Sequence, residues 1–489
     1  MKSTRKKIGA LLEGIAVVPR LDDVSIQGLT LDSRNVVEGD AFIALRGGTQ
    51  HGIEHAPGAV AKGASCVLWE PPAAVPALAV PAIRVERLRT HLGAIADRFH
   101  DQPSSALTVT GVTGTNGKTS FVHLLAQSLH GGAERTATIG TLGSGFPGAL
   151  VAGERTTPDV LSVHAQLAEF RDAGAQHVAM EVSSHALDQG RVDGVRFAFA
   201  VFTNLTRDHL DYHGDMRSYG AAKARLFETR GLRCAIVNSD DDFGRELLAR
   251  LPRAQPRLSY GLNDADVSAR AIALDAGGVR FEIATPWGTA PIESSLIGTF
   301  NVSNLLAVAA TLGAVGWSLA RIASCLGSLQ PVPGRMGKLG GADGLPLVVI
   351  DYAHTPDALQ QALSSVRAHT SGLVHVVFGC GGERDTGKRP LMGHVAERGA
   401  DLLTVTDDNP RGEDGNAIVA EILAGLDVPE RARVERDRSR AITAAVLGAR
   451  GHDAVLVAGK GHESYQEIAG VRRPFDDASI ARAALQARA

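Results

Sequence analysis

Thr110-Gly-Val-Thr-Gly-Thr-Asn-Gly-Lys-Thr-Ser120 is the stretch of this 489-residue chain whose reading decides the fold. Upstream, Leu107 to Thr110 reads as a short strand; downstream, Phe121, Leu124, Leu125 and Leu129 fall on one face of a helix. Glycines at 111, 114 and 117 let backbone N–H groups approach phosphate oxygens. Lys118 adds a point charge, and the hydroxyl of Thr119 or Ser120 can ligate Mg²⁺. The stretch is therefore a phosphate cradle between a strand and a helix, and it points to ATP. It departs from strict G-x-x-x-x-G-K-[ST], because Val112 stands where the first glycine belongs and Gly111 comes one residue early. The plainer alternative is a glycine-rich turn in a structural βα unit. Lys-Thr-Ser opening an amphipathic helix directly weighs against it.

Working outward, the length suggests about three domains, each able to bury a core. Hydrophobic content of 44% with 21% charged residues is ordinary for a globular chain, and a net charge of −3 argues against general nucleic-acid binding. Cys66, Cys234, Cys325 and Cys380 lie far apart without metal-ligand spacing, which suits a reducing cytoplasm; unpaired thiols are expected, with Cys380 left open. Met1 to Lys7 is basic, but Glu13 interrupts the apolar run Ile8 to Val18 and no convincing cleavage site follows, so a cytoplasmic helix is expected there. No apolar run reaches the roughly 18 residues that span a bilayer.

Asp101-Gln-Pro-Ser-Ser105 and Gln330-Pro-Val-Pro-Gly334 read as joints and divide the chain into 1–104, 105–331 and 332–489. The first piece mixes short apolar segments, Asp40 to Leu45 and Ser65 to Trp69, with a proline-rich stretch. The other two share a grammar in which an apolar run ends in polar and glycine residues before a helical pattern. These ends are the cradle, Met180 to His185, Phe202 to His209 and Val237 to Asp240, then Val349 to His354, Phe378 to Asp385, Val405 to Arg411 and Val457 to Glu463. Strands alternating with helices imply α/β domains with parallel sheets, whose ligands bind beyond the carboxyl ends of the strands. Eight polar clusters are thus expected to point into two clefts. Gly379-Cys-Gly-Gly382 invites a dinucleotide reading, but Arg384 occupies the third glycine position, which disfavours a nicotinamide enzyme.

Phosphoryl transfer needs metal ions to offset charge, and Glu181 and His209 sit at neighbouring strand ends near the cradle. Each alone reads as a capping glutamate or a core histidine; their shared placement favours the metal reading. Lys223 in Gly220-Ala-Ala-Lys-Ala-Arg225 reads, on composition alone, as a solvent-facing helical lysine.

With the cradle, Met180-Glu-Val-Ser-Ser-His185, Asn204-Leu-Thr-Arg-Asp-His-Leu-Asp-Tyr-His213, Pro333-Gly-Arg-Met336 and Asp351-Tyr-Ala-His-Thr-Pro356 in this order, the chain resembles the Mur ligases nearly end to end. Leu31-Asp-Ser-Arg34, Glu154-Arg-Thr-Thr157, Gly379 to Pro390 and Asp408-Asn-Pro-Arg411 look like the members that add meso-diaminopimelate to UDP-N-acetylmuramoyl-L-alanyl-D-glutamate. Arg155 departs from that pattern, in which an asparagine often precedes the threonine pair.

The resemblance implies three domains: one gripping the UDP end, a central P-loop ATPase with a parallel sheet, and a Rossmann-like carboxyl-terminal domain bringing the amino acid. It implies that Leu31, Ser33, Gly48, Thr49 and Gln50 contact uridine diphosphate, while Thr156, Thr157, Ser183, Gln189 and Arg191 hold the muramoyl-dipeptide. ATP would lie on Gly114, Thr115, Asn116, Gly117, Lys118, Thr119 and Ser120, with Asn304, Arg335 and Asp351 near its adenosine. Mg²⁺ would be held by Thr119, Glu181, His209 and Lys223, the last carboxylated by CO₂, against the reading from composition. Diaminopimelate would meet Arg384, Asp408, Asn409, Pro410, Arg411, Gly459 and Glu463. Lys118, Lys223 and His209 carry the catalytic expectations.

The implied reaction moves the γ-phosphoryl group of ATP to the D-glutamyl γ-carboxylate, and the amine of diaminopimelate then displaces phosphate. A cytoplasmic monomer is expected. The rivals are a lysine-adding ligase of the same family, folylpolyglutamate synthase, which lacks the entry domain marked by Leu31 to Arg34, and a P-loop switch whose ATP cycle drives conformation.

Overall fold

The computed structural model describes residues 5–16, 24–48 and 50–488. Thr49, expected at the uridine diphosphate, lies outside them, as do Val17 and Val18. The chain forms two compact units, Met1–Val237 with Asp241–Arg257, and Asn238–Asp240 with Leu258–Ala489. No described helix is long and apolar enough to cross a membrane.

Besides a two-stranded ribbon of Lys6–Lys7 with Ser25–Ile26, two larger sheets have strands in the first unit. Strands Gly28–Thr30, Asp40–Ala44, Cys66–Trp69 and Ala82–Arg84 pair in parallel in sequence order. Helix Leu88–Phe99 closes one face, burying Leu88, Leu92, Ile95 and Ala96 with Ile43 and Leu68. The amino-terminal helix expected over Ile8 to Val18 is a single turn, Ile8–Leu11. Leu12 is already off helical geometry and Gly14 turns the chain at φ +71°.

In the second sheet Thr136–Gly140, His177–Glu181, Thr108–Thr113, Phe197–Phe202 and Cys234–Asn238 lie side by side in that order, all parallel. An antiparallel hairpin, Gly143–Phe146 and Ala149–Val151, adds an edge. The cradle's strand is therefore central and buried on both faces, and it runs to Thr113 rather than ending at Thr110. Gly111 permits the extension: a Cβ there would lie 2.7 Å from the Phe197 ring. Helix Lys118–Gly131 buries Phe121, Leu124, Leu125 and Leu129, the expected face.

The second unit begins with an antiparallel meander, Val267–Asp275, Gly278–Thr285 and Gly288–Ser294, followed by helices Thr299–Val315 and Leu319–Ser328. The six-stranded sheet after it runs Gly337–Gly340, Leu347–Asp351, Ala454–Ala458, Val374–Phe378, Leu402–Val405, Ala432–Val434, parallel apart from the first edge. Both faces are apolar, as the period of two in a strand requires. Val349, Val376 and Leu456 pack under Leu359, Leu363, Met392 and Ile422, whereas Val348, Val377, Val455 and Val457 pack under Ile442, Val446, Ala481 and Leu485. Helices on both faces of a parallel sheet are the doubly wound arrangement. Strand Ala454–Ala458 returns between the first two parallel strands to be formed, so the chain ends after Asp351, Phe378, Val405 and Ala458 share one edge.

Under the second face lies the ion pair Arg438–Asp477, both side chains fully buried and joined by two 2.7 Å hydrogen bonds. Arg438 also donates to the Ala458 carbonyl at 3.0 Å, bracing the end of the strand. Removing one partner of such a pair strands a charge and costs about 3–5 kcal/mol.

His369, 2% exposed, ties the helix Pro356–Arg367 end to the meander. Its Nε2 accepts from the Gly298 N–H at 2.8 Å, and its Nδ1 lies 2.6 Å from the Asp275 carbonyl, to which it must donate. The ring is thus fixed neutral, and burial pushes it below the ordinary histidine value of 6.5. As pH falls through about 6.5 the unfolded chain takes up the proton first, so this contribution to stability is lost toward acid. A His369→Gln variant is expected to unfold more readily at pH 8 by about 1–3 kcal/mol. It should also lose up to about 1.4 kcal/mol per pH unit of acid slope below pH 6.5, and urea titrations at several pH values check both.

Candidate functional site

The cradle is shaped by backbone that only glycine tolerates. Gly114 sits at φ +151° and Gly117 at φ +85°, and a Cβ on Gly114 would lie 1.9 Å from Thr203 Oγ1. The end of strand Phe197–Phe202 holds the loop from the other side. Thr203 Oγ1 donates to the Asn116 carbonyl (2.6 Å), Asn116 N to Asn204 Oδ1 (2.9 Å), and Thr115 N to the Asn204 carbonyl (2.8 Å). Gly117 caps helix Lys118–Gly131, whose first N–H groups have no partner within the helix and face the loop. Thr119 and Ser120 are buried in that first turn.

Lys118 Nζ donates to the carbonyls of Gly114 (2.9 Å) and Thr115 (2.8 Å). Lys223, from helix Met216–Ala224, reaches the same Gly114 carbonyl at 2.7 Å with 1% of its surface exposed. The solvent-facing reading of Lys223 is therefore wrong: the helix turns it inward over the Tyr219 ring, 4.3 Å from the centroid. Burial, then the charge of Lys118, holds its amine well below the ordinary lysine value. The same burial lifts Tyr219 to about 12, and its hydroxyl lies 3.2 Å from Thr115 Oγ1.

Glu181, 1% exposed, ends strand His177–Glu181 and accepts from neutral donors: Thr119 Oγ1 (3.0 Å), Thr141 N (2.8 Å) and Thr141 Oγ1 (3.2 Å). Thr119 and Glu181 are thus brought together. His209 is about half exposed, at φ +53°, and its ring meets His185 (centroids 4.9 Å) and Tyr219 (6.2 Å), with Asp208 at 3.3 Å. Among the described residues no group of three His, Cys, Asp or Glu side chains forms a ready cation cage.

The dipeptide candidates form a connected patch. Thr141 Oγ1 lies 3.1 Å from Thr156 Oγ1, and Thr157 Oγ1 donates to the Glu181 carbonyl (2.9 Å) and accepts from Ser183 N (3.2 Å). Arg191 donates to the Thr157 carbonyl (2.9 Å) and to Gln189 Oε1 (3.0 Å). Further toward the amino terminus, Leu31 and Ser33 line a cavity of about 650 Å³ with Phe42, Leu45, Gly52 and His55. Arg34 grips Asp32 there through Nε and Nη2, holding the Asp32 carboxyl down at about 2. The loop carrying Gly48 is closed by Gly47 N donating to the Gln50 carbonyl at 3.0 Å.

In the second unit the sheet's carboxyl edge carries the remaining candidates apart from Asn304, which stands on a helix. Asp351 accepts from Met336 N and Ala353 N, each at 2.8 Å, though burial still raises its carboxyl. Arg335 lies over the Tyr352 ring (5.1 Å), and Asn304 Nδ2 donates to Asn301 Oδ1 (2.9 Å) on helix Thr299–Val315. Arg411, at φ +54°, is pinned by main-chain bonds to Glu467 and Ala469, and its guanidinium donates to the Gly382 carbonyl at 2.6 Å. Gly382 in turn has no room for a side chain, since a Cβ would lie 2.0 Å from the Pro410 carbonyl. Asp408 is buried and its carboxyl raised by desolvation; a Cβ on Gly459 would lie 2.4 Å from its Oδ2. Asn409 Nδ2 donates to Glu463 Oε2 at 2.8 Å, whereas Arg384 is exposed in the turn. Cys380 is buried, and desolvation pushes its thiol up to about 12, so this thiol is a packing group.

Sequence reasoning passed over Thr141, Thr203, Tyr219, Arg389 and Lys460. Arg389, 1% exposed, binds Glu413 and Glu421 at 2.9 Å each under the Gly379–Gly382 turn. Arg389 and Lys460 lie inside the quoted clusters, but a buried cation leaves no signature in spacing.

A phosphate-binding loop of this kind, at the carboxyl edge of a parallel sheet, defines a P-loop nucleotide-dependent α/β enzyme. Residues 25–100 match the Mur ligase family catalytic domain, 112–312 the Mur ligase middle domain and 334–461 the Mur ligase glutamate ligase domain. The chain is 58% identical over 471 residues to the UDP-N-acetylmuramoyl-L-alanyl-D-glutamate–2,6-diaminopimelate ligase of Xanthomonas oryzae pv. oryzae (strain MAFF 311018), covering 95% of each. It is 55% identical over 475 residues to the ligase of that name from Xylella fastidiosa (strain 9a5c), covering 96% of each. A solved structure of a ligase of that name superposes with a TM-score of 0.77 at 37% identity, covering 99% of both chains. The chain belongs to the Mur ligase family. A folylpolyglutamate synthase from Mycobacterium tuberculosis shares the fold alone, with 18% identity, a TM-score of 0.61 and coverage of 76% of this chain and 92% of its own.

Gly114→Ala must push Thr203 away or distort the loop. It is expected to weaken ATP binding at least tenfold with an unchanged circular dichroism spectrum, as read by calorimetric titration with a non-hydrolysable ATP analogue.

Proposed function

We infer that this chain is the ATP-dependent ligase that joins meso-diaminopimelate to UDP-N-acetylmuramoyl-L-alanyl-D-glutamate, yielding the tripeptide precursor of peptidoglycan, ADP and phosphate. The observation that carries the choice of amino acid is Arg411, a guanidinium held on the Gly382 carbonyl by a constrained turn. Diaminopimelate differs from lysine by a carboxylate on its far stereocentre, and a fixed planar cation is the group that recognises it. Relatives named for this reaction at 55–58% identity support the same reading.

A free carboxylate resists attack by an amine. Transfer of the γ-phosphoryl group to the D-glutamyl γ-carboxylate breaks the β–γ phosphoanhydride bond, releases ADP and leaves an acyl phosphate. The neutral amine of diaminopimelate attacks that carbonyl carbon, and the tetrahedral adduct expels phosphate as the amide forms and the amine loses a proton. Lys118 and the helix N-terminus oppose the charge of the transferred group.

Mg²⁺ supplies charge neutralisation of the phosphates, and Thr119, Glu181, His209 and Lys223 would hold it. The donor set fits: Glu181 is a buried carboxylate whose present partners are neutral hydroxyls and an amide, and hard oxygen is what Mg²⁺ takes. Lys223 fits as N6-carboxylysine, because only a neutral amine adds CO₂, and burial beside Lys118 disfavours the charged form of this one. Leu31, Ser33, Gly48, Thr49 and Gln50 are assigned to uridine diphosphate, and Thr156, Thr157, Ser183, Gln189 and Arg191 to the muramoyl-dipeptide. Domain limits at 104/105 and 331/332, a monomeric state and a cytoplasmic location complete the proposal.

Two experiments test it. Arg411→Ala should cost about 2–5 kcal/mol in diaminopimelate use, roughly 30-fold to several thousandfold in kcat/KM, with ATP affinity intact. Equal turnover of lysine and diaminopimelate by the unaltered enzyme would refute the pocket. For Lys223, ¹³C-bicarbonate should give a carbamate resonance in the unaltered enzyme that disappears in Lys223→Ala, together with a drop of at least a hundredfold in kcat.

A further inference from the structure

Lys460 follows strand Ala454–Ala458 and its side chain is completely buried, yet its partners are not core residues. Its Nζ donates to Asn409 Oδ1 at 2.9 Å and to Glu463 Oε2 at 3.1 Å. Asn409 Nδ2 donates to the same Glu463 oxygen at 2.8 Å, and Asn409 Oδ1 also accepts from Glu467 N at 2.9 Å. The amide can therefore face only one way, oxygen toward the ammonium and nitrogen toward the carboxylate. Both donors to Glu463 fall on Oε2, and among the described residues no hydrogen bond reaches Oε1. Glu463 keeps 22% of its side chain exposed, so a ligand can reach the carboxylate.

We propose that Lys460 is a positioning residue for the amino-acid subsite: it commits one oxygen of Glu463 and the carbonyl of Asn409, and so reserves the other Glu463 oxygen for the ammonium of the incoming diamino acid. This rests on the diaminopimelate reading above. Without Lys460 the Glu463 carboxylate keeps only the Asn409 donor on Oε2 and can rotate, so the subsite loses its donor–acceptor order while the phosphate cradle, in the other unit, is untouched.

The test is a cycle of Lys460→Met, Glu463→Gln and the double variant, with KM measured for diaminopimelate, ATP and the UDP-muramoyl-dipeptide, beside thermal melting. The unaltered enzyme is the control: if it does not join diaminopimelate, the functional reading fails and not the role of Lys460. Lys460→Met should raise KM for diaminopimelate at least tenfold and leave the other two within twofold. In the Glu463→Gln background the same change should cost less than threefold, because the carboxylate it organises is gone. Equal rises in all three KM values, no rise for diaminopimelate, or multiplying costs in the double variant would each overturn the proposal. Should Lys460→Met fail to fold, the double variant buries no unpaired carboxylate and is expected to fold and to match Glu463→Gln. Its failure to fold would mark Lys460 as a stability residue only and overturn the proposal.

Discussion

Two lysine amines meet on one carbonyl oxygen, that of Gly114, and their mutual repulsion works against both being charged. Unit charges about 4 Å apart repel by about 4 kcal/mol at an effective dielectric near 20, which is more than a single hydrogen bond returns. Lys118, at the helix N-terminus and 3 to 4 residues from its acceptors, is the one proposed above as the phosphate cation. Lys223, the more deeply buried, is the one whose amine burial and the Lys118 charge push well below the ordinary lysine value. Burial and the neighbouring charge thus act on one amine, held on the same carbonyl oxygen that shapes the loop.

Much of the fold was legible because its periods are strong. The run from Thr110 to Leu129 fixes a strand, a loop and a helix, and the four polar clusters after Val349, Phe378, Val405 and Val457 do end parallel strands. The antiparallel meander from Val267 to Ser294 was not read, since nothing in its local pattern says which neighbour each strand takes. Ile8 to Val18 failed for the opposite reason: its apolar spacing looks helical, but Gly14 turns the chain after one turn.

At the site, residues carried by backbone geometry were readable and residues carried by burial were not. Gly114, Gly117, Thr119 and Glu181 announce themselves through spacing, and the turn from Asp408 to Arg411 through its Asn-Pro pair. Lys223, Arg389 and Lys460 are single cations whose meaning depends on what surrounds them in space. Composition alone assigns such side chains to water, and for Lys223 only the family resemblance pointed inward.

Cys380 lies in the glycine turn whose Gly382 carbonyl holds the Arg411 guanidinium, where a thiol invites thoughts of covalent chemistry. Burial pushes it up to about 12, which favours the protonated thiol at neutral pH. Burial that disfavours the thiolate also withholds the nucleophile that an electrophilic warhead or an oxidant would need. Inhibitor design here must rely on shape and charge rather than on bond formation to sulfur.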